Sequence, residues 1–565
     1  MKNYLLEQQT KPHTYTVLNN KTTFFNSTHM KKSILTLSFL FLISNHFHAQ
    51  EIVSGKNIAV TQTESGLVRG YIHNAIYTYK GIPYAQAERF EAAKKPKSWD
   101  GIRSSTTYGP VAPLLNPTTQ VQDESEFVFD HDWGYTNEDC LRINIWTPSI
   151  DDGKKRPVLF WIHGGGYTAG SSQELPSYDG ENLSKKGDVV VVSINHRLNV
   201  LGYLDLSAYD EKYKNSANNS ILDLVSALEW VKTNITSFGG DPNNVTIFGQ
   251  SGGGAKVNTL MAMPIAKGLF HKAINQSGAF SNNFLKKEDA QAIAAETISI
   301  LGLDATNIDS IQNIPFEVLA EASNKALKIT AEKMQNEGKP IIGFGLSWGP
   351  SIDGEDIPYQ ASSNEALELS KNIPLLIGST KNEFTSLFNY QFTNANEEQI
   401  RAEIKKRYGN KADVYIKAVK KAYPNDTRPS DLLDIDTMFR VGAVEQANKK
   451  SAITDGASVY MYLFTWQSPV FDGNYKALHC MELPFVFDNI ERANQMTGGG
   501  KDAQVLADKM SSAWINFAKN GDPNNDQLIK WPTYNELSTA TMYFDNTIEV
   551  KPQIDKELLN IITNK

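Results

Sequence analysis

The feature that most restricts the fold is a succession of short apolar runs rich in β-branched and aromatic residues, at 141–146, 157–162, 189–194, 245–248, 374–377 and 459–464. Between them lie stretches of helical period, as at 221–235, where Leu222, Val225, Leu228 and Val231 fall on one face. Continuous apolar runs of this length read as strands covered on both faces, and strands alternating with helices predict a mainly parallel central sheet flanked by helices. The class is therefore α/β. In such a sheet, binding and chemistry sit at the carboxyl ends of the strands.

A chain of 565 residues invites division into several domains. From residue 51 onward, however, no long linker, low-complexity tract or supersecondary repeat separates the segments, and a single domain is expected over 51–565. Hydrophobic residues at 41% and charged residues at 21% exclude disorder as the main state. With 55 basic against 63 acidic residues and no long basic run, there is no electrostatic footprint for nucleic acid. Two cysteines cannot make a disulfide scaffold, and no Cys/His spacing suits zinc. The one long apolar run, 34–43, is shorter than the ~20 residues of a membrane-spanning helix. Preceded by Met30, Lys31 and Lys32 and followed by Ala49, it reads as a signal peptide over 30–50, with 1–29 an upstream extension. Export to the periplasm or beyond, without membrane insertion, is the expectation.

The pattern G-x-S-x-G occurs twice. Ser251, in Gly249-Gln250-Ser251-Gly252-Gly253, follows an apolar strand and precedes a helical stretch, as a nucleophile elbow requires; the glycines are needed where strand and helix converge. Ser347 lies in a glycine-rich segment running into Pro350 and reads as a loop. A serine nucleophile needs a base and preorganised oxyanion donors. His163-Gly164-Gly165-Gly166 directly follows the run 157–162, where backbone N–H groups could serve as those donors. In the order serine, acid, histidine, only His271 and His479 follow Ser251, and His271 comes too soon for an intervening strand bearing an acid. His479 is the candidate base. Glu383, just beyond the run 374–377, is the leading acid, with Asp353, Glu355 and Glu482 as competitors.

Taken together, Glu138-Asp139-Cys140-Leu141-Arg142, His163-Gly164-Gly165-Gly166, Phe238-Gly239-Gly240-Asp241-Pro242 with Phe248-Gly249-Gln250-Ser251, and Ala477-Leu478-His479 with Glu482 closely resemble the type B carboxylesterase/lipase family, the cholinesterase-like α/β hydrolases. The similarity extends from about residue 56 to about residue 550. The resemblance implies an α/β-hydrolase fold with large insertions. It also implies a Ser251–Glu383–His479 triad, an oxyanion hole of Gly165, Gly166 and Gly252 N–H groups, and a structural ion pair between Arg89 and Glu138. Gln250 replaces the family's common glutamate, which argues against a choline-ester preference. Gly252 replaces its usual alanine, giving a freer turn. Cys140 matches a half-cystine whose partner position here is Ala112, so both thiols are expected free.

The expected activity is hydrolysis of small carboxylic esters, with no metal or organic cofactor. Gln250 and Tyr167 are candidate substrate-binding residues, and Trp133 could line the gorge. A lipase for longer acyl chains shares the same triad. A non-catalytic binding module of this fold would typically lack a triad member, and none is missing.

Overall fold

The computed structural model describes residues 52–115, 123–279, 284–339 and 345–564. The leader and upstream extension read from the sequence lie outside them. The strands before the first expected one are β1 (Ile52–Val53), β2 (Val60–Thr63), β3 (Gly66–Arg69), β4 (Tyr71–His73), β5 (Ile76–Pro83) and β6 (Ile102–Ser104). Then come β7 (Arg142–Thr147), β8 (Arg156–Ile162), β9 (Val190–Ile194), β10 (Gly240–Gln250) and β11 (Lys272–Gln276). The last are β12 (Leu375–Thr380), β13 (Val459–Phe464), β14 (Thr541–Phe544) and β15 (Glu549–Lys551).

Twelve strands form one sheet in the order β1-β4-β5-β7-β9-β8-β10-β11-β12-β13-β14-β15, and β2-β3-β6 form a small second sheet. The block from β9 to β14 is parallel, and antiparallel strands extend it at both ends. Every residue of β7, β9, β12 and β13 is buried, which is why those segments read as continuous runs and not as alternating ones; β11 and β14 are buried throughout as well. Two apolar clusters, one on each side of the sheet, contain Phe160 and Ile247 on one side and Trp161 and Phe248 on the other, as neighbouring residues of a strand must. The expected helix at 221–235 is Asn219–Asn234, with Val225, Leu228 and Val231 buried and Leu222 half-buried.

The described residues from Ile52 onward cluster into one compact unit. The parallel block aims the carboxyl ends of β8, β10, β12 and β13 in one direction, so His163, Ser251 and the loops bearing Glu383 and His479 emerge at one edge of the sheet. His271 precedes β11 at the opposite edge, where its Nδ1 accepts from the Val245 N–H at 3.1 Å.

Candidate active site

Strand β10 ends at Gln250 and the helix Gly252–Met261 starts two residues later, so Ser251 alone makes the turn. Its φ of 57° and ψ of −127° lie where a side chain is disfavoured, a strain of about 1–3 kcal/mol that only a well-packed surround can hold. That surround is specific. The Ser251 N–H donates to the Gln276 carbonyl at 2.8 Å, and the Ala255 N–H donates to the Ser251 carbonyl at 3.0 Å. A Cβ on Gly253 would lie 2.0 Å from the Ile162 oxygen, and one on Gly249 would lie 2.5 Å from the Gly253 carbonyl carbon. Ser347 stands exposed in a loop.

Glu383 and His479 are brought together by backbone. Glu383 pairs with Leu478 in an isolated parallel bridge, and the His479 N–H donates to the Glu383 carbonyl at 3.0 Å. Asn382 locks the two loops, its N–H donating to the Ala477 carbonyl at 3.2 Å and its Oδ1 accepting from the Ala477 N–H at 3.1 Å. The Glu383 Oε1 accepts from the Ser277 hydroxyl at 2.7 Å and the Thr380 N–H at 2.8 Å, and its Oε2 meets the His479 Nδ1. Both side chains are buried. Burial pushes the Glu383 carboxyl up to about 8 and the imidazole down to about 4, because it disfavours charge on either group. Burial thus favours the uncharged imidazole.

The face of the imidazole is packed by Phe384 at 4.0 Å and Phe439 at 5.0 Å between ring centroids. The Gln250 amide nitrogen lies 3.2 Å from Nε2 and 3.3 Å from Nδ1, and its oxygen accepts from the Cys480 thiol at 3.2 Å. Gln250 is fully buried between these groups. Among the competing acids, Asp353 binds its own loop through the Glu355 and Ile357 N–H groups, both at 2.9 Å, and Glu355 is exposed. Glu482 is buried close by; its Oε1 accepts from the Gln276 amide at 3.2 Å, and burial first, then Glu383, lifts its carboxyl to about 7. Asp436, also buried, is lifted to about 7 by the same two causes.

Gly165 and Gly166 have φ of 78° and 63°, and a Cβ on Gly165 would lie 2.3 Å from the Ala169 oxygen, so the loop needs glycine there. Among the described residues, the N–H groups of Gly165, Gly166 and Gly252 make no hydrogen bond. Gly252 differs from the sequence expectation of a freer turn. It is the first helical residue, and a Cβ on it would lie 2.5 Å from the Gly166 N and Cα and 2.2 Å from its oxygen. The space its side chain would take is filled by Gly166.

Tyr167 is buried edge-on to Tyr203, with ring centroids 5.5 Å apart, and Trp133 stacks on His131 at 4.4 Å. Arg89 and Glu138 form the expected pair, and the Arg89 guanidinium also donates to the Ile311 and Ile314 carbonyls at 3.0 and 2.6 Å. Cys140 and Cys480 are free thiols. Among the described residues, no group of three metal-ligating side chains comes together, and no helix is long and apolar enough to cross a membrane.

A sequence model of the carboxylesterase family matches residues 57–562. The chain belongs to this family. Its relatives include the para-nitrobenzyl esterase of Bacillus subtilis (strain 168), 35% identical over 88% of this chain and 97% of that one. The phenmedipham hydrolase of Pseudarthrobacter oxydans is 33% identical over 86% of this chain and 94% of that one. Among solved structures, an esterase of Clostridium hathewayi that hydrolyses aliphatic aromatic polyesters superposes with a TM-score of 0.79 at 36% identity, over 90% of this chain and 98% of that one. The fold of this carboxylesterase is that of the α/β hydrolases, and its reaction class is hydrolysis of carboxylic esters.

Proposed function

We propose that this carboxylesterase works through an acyl-enzyme on Ser251, with His479 as general base and Glu383 as its orienting acid, and that it is exported. The Glu383 to Leu478 bridge carries the reading, because it holds the acid on the base at the sheet edge where Ser251 turns. His479 accepts the Ser251 proton as Oγ attacks the ester carbonyl, and Glu383 stabilises the imidazolium that forms. The oxyanion is met by the Gly165, Gly166 and Gly252 N–H groups, helped by the positive end of the helix Gly252–Met261. His479 then protonates the departing alcohol. Water adds to the acyl-enzyme by the same route, releasing the acid and restoring Ser251.

In the resting site the Gln250 amide occupies the neighbourhood of Nε2, which supports a role in orienting the imidazole more than one in binding substrate. Because relatives are named for para-nitrobenzyl esters, phenmedipham and aliphatic aromatic polyesters, aryl and benzyl esters are the first substrates to assay. The decisive experiment is labelling with an organophosphate followed by peptide mass spectrometry, with Ser251→Ala as the control. Labelling at any other residue, or ester hydrolysis surviving in Ser251→Ala, refutes the assignment. A p-nitrophenyl ester series from acetate to palmitate separates esterase from lipase, with activity highest on short chains expected. For export, the N-terminus of the secreted protein is expected near residue 50, and one before residue 44 overturns the leader.

A further inference from the structure

Lys256 has no place in the mechanism above, yet it is fully buried one turn into the helix that starts at the nucleophile. A buried ammonium is costly unless it is compensated. Among the described residues Lys256 has no ion pair. Its Nζ donates to the His163 carbonyl at 3.2 Å and lies 5.9 Å from the centre of the Tyr167 ring. That carbonyl belongs to the peptide leading from β8 into Gly164, Gly165 and Gly166.

The same helix face makes the other two contacts to this loop. Gly253 is bare where the Ile162 and His163 oxygens approach, and Gly252 is bare where Gly166 approaches. Positions 252, 253 and 256 thus form one cradle, with two backbone contacts and a single charged one.

We infer that Lys256 is a positioning residue for the oxyanion loop, its ammonium holding the His163 carbonyl so that the Gly165 and Gly166 N–H groups face the reacting carbonyl. The inference rests on the reading of Ser251 and its oxyanion hole given above. The surroundings make the charge titratable. Facing Lys256 are His163 and His196, stacked 4.8 Å apart, together with Glu174 and Tyr167. Glu174 accepts from the Tyr178 hydroxyl at 3.2 Å, and the Arg197–Asp223 ion pair lies beyond His196. Burial holds both imidazoles well below their usual value and both phenols far above theirs. Burial also lowers Lys256 to about 7 against the pull of Glu174, and raises the Glu174 carboxyl to about 7. As pH rises above neutral, Lys256 passes from a charged to a neutral, weaker donor.

The test uses the purified full chain, with kcat and KM for p-nitrophenyl acetate followed from pH 5 to 10 beside organophosphate labelling of Ser251. Lys256→Met keeps the bulk and removes the donor; Lys256→Gln keeps a neutral donor. In wild type, kcat is expected to fall as pH rises above about 7. In Lys256→Met, kcat should drop about 10–100-fold with KM nearly unchanged, labelling should slow, and the alkaline decline should vanish. Lys256→Gln should also lack the alkaline decline, and it carries the test if the methionine variant does not fold. A Lys256→Met enzyme with kcat within twofold of wild type, or either variant retaining the alkaline decline, overturns the inference. Wild type that escapes labelling at Ser251 overturns the reading of the site instead.

Discussion

Replacing Glu383 by glutamine tests the acid with almost no change in shape. The Thr380 N–H and the Ser277 hydroxyl both approach the Glu383 Oε1, and a backbone N–H can only donate. The amide oxygen of glutamine must therefore take the Oε1 site, which turns its NH2 toward the His479 Nδ1. That nitrogen then has to accept, and the ring proton moves to Nε2, the atom that receives the serine proton in the proposed mechanism. Such a forced tautomer costs about 10⁴ in kcat in a Ser-His-Asp enzyme, equivalent to ~5.5 kcal/mol of barrier. Because burial already disfavours the carboxylate, the variant should stay folded with a Tm within a few degrees of wild type. Stopped-time hydrolysis of p-nitrophenyl acetate at pH 7, paired with a thermal melt, reads both quantities. A folded Glu383→Gln enzyme retaining more than about a tenth of wild-type kcat refutes the argument, since the tautomer penalty cannot then be operating.

Gly252→Ala places a Cβ 2.2 Å from the Gly166 oxygen, so the loop must retreat by roughly 1 Å; kcat is expected to fall about 10²-fold with KM nearly constant, and equal kcat would show that the loop does not depend on this contact. The acid limb of kcat/KM should lie well below 6.5, because only the neutral imidazole can accept a proton and burial lowers His479 to about 4; a limb at 6.5 or above contradicts this. Arg89→Met strands Glu138 and the Ile311 and Ile314 carbonyls and should cost ~2–4 kcal/mol in urea unfolding, while kcat per folded molecule stays the same.

The six apolar runs all became strands because each is buried on both faces, and there the hydrophobic pattern and the fold carry the same information. Strand β11 shows no such run, although it is equally buried. Its sequence, Lys272-Ala273-Ile274-Asn275-Gln276, is polar at three of five positions although every one is buried. Asn275 meets the Asn258 and Gln446 side chains, and Gln276 bridges Glu482 and Trp514, so side-chain hydrogen bonds replace the apolar signal. At its end stands Ser277, the donor to Glu383. Ser251 was legible because an elbow must carry its glycines in sequence. The neighbours of His479 lie in two segments, Phe384 directly after Glu383, and Asp436 three residues before Phe439, whose N–H donates to the Asp436 Oδ1 at 3.2 Å, and neither segment carries a motif that marks it in the sequence.

Gln250 is a further neighbour, its amide nitrogen within 3.3 Å of both His479 ring nitrogens. Glu383, Glu482 and Asp436 already place three buried carboxyls around one imidazole, and burial pushes all three up toward or beyond neutrality. A neutral amide at 250 adds no fourth charge to this group and can donate to the ring while accepting from Cys480. Gln250→Glu would set a carboxyl within about 3.5 Å of both ring nitrogens, and an opposite charge at that range favours the imidazolium by about 1–2 pH units. The acid limb of kcat/KM should move upward by that amount, with activity near pH 8 largely kept because the base is again neutral there. The pH–rate profile distinguishes the two roles open to this residue. If Gln250 orients the ring, the limb shifts at every substrate tested. If it contacts substrate instead, KM changes selectively among esters while the limb stays in place.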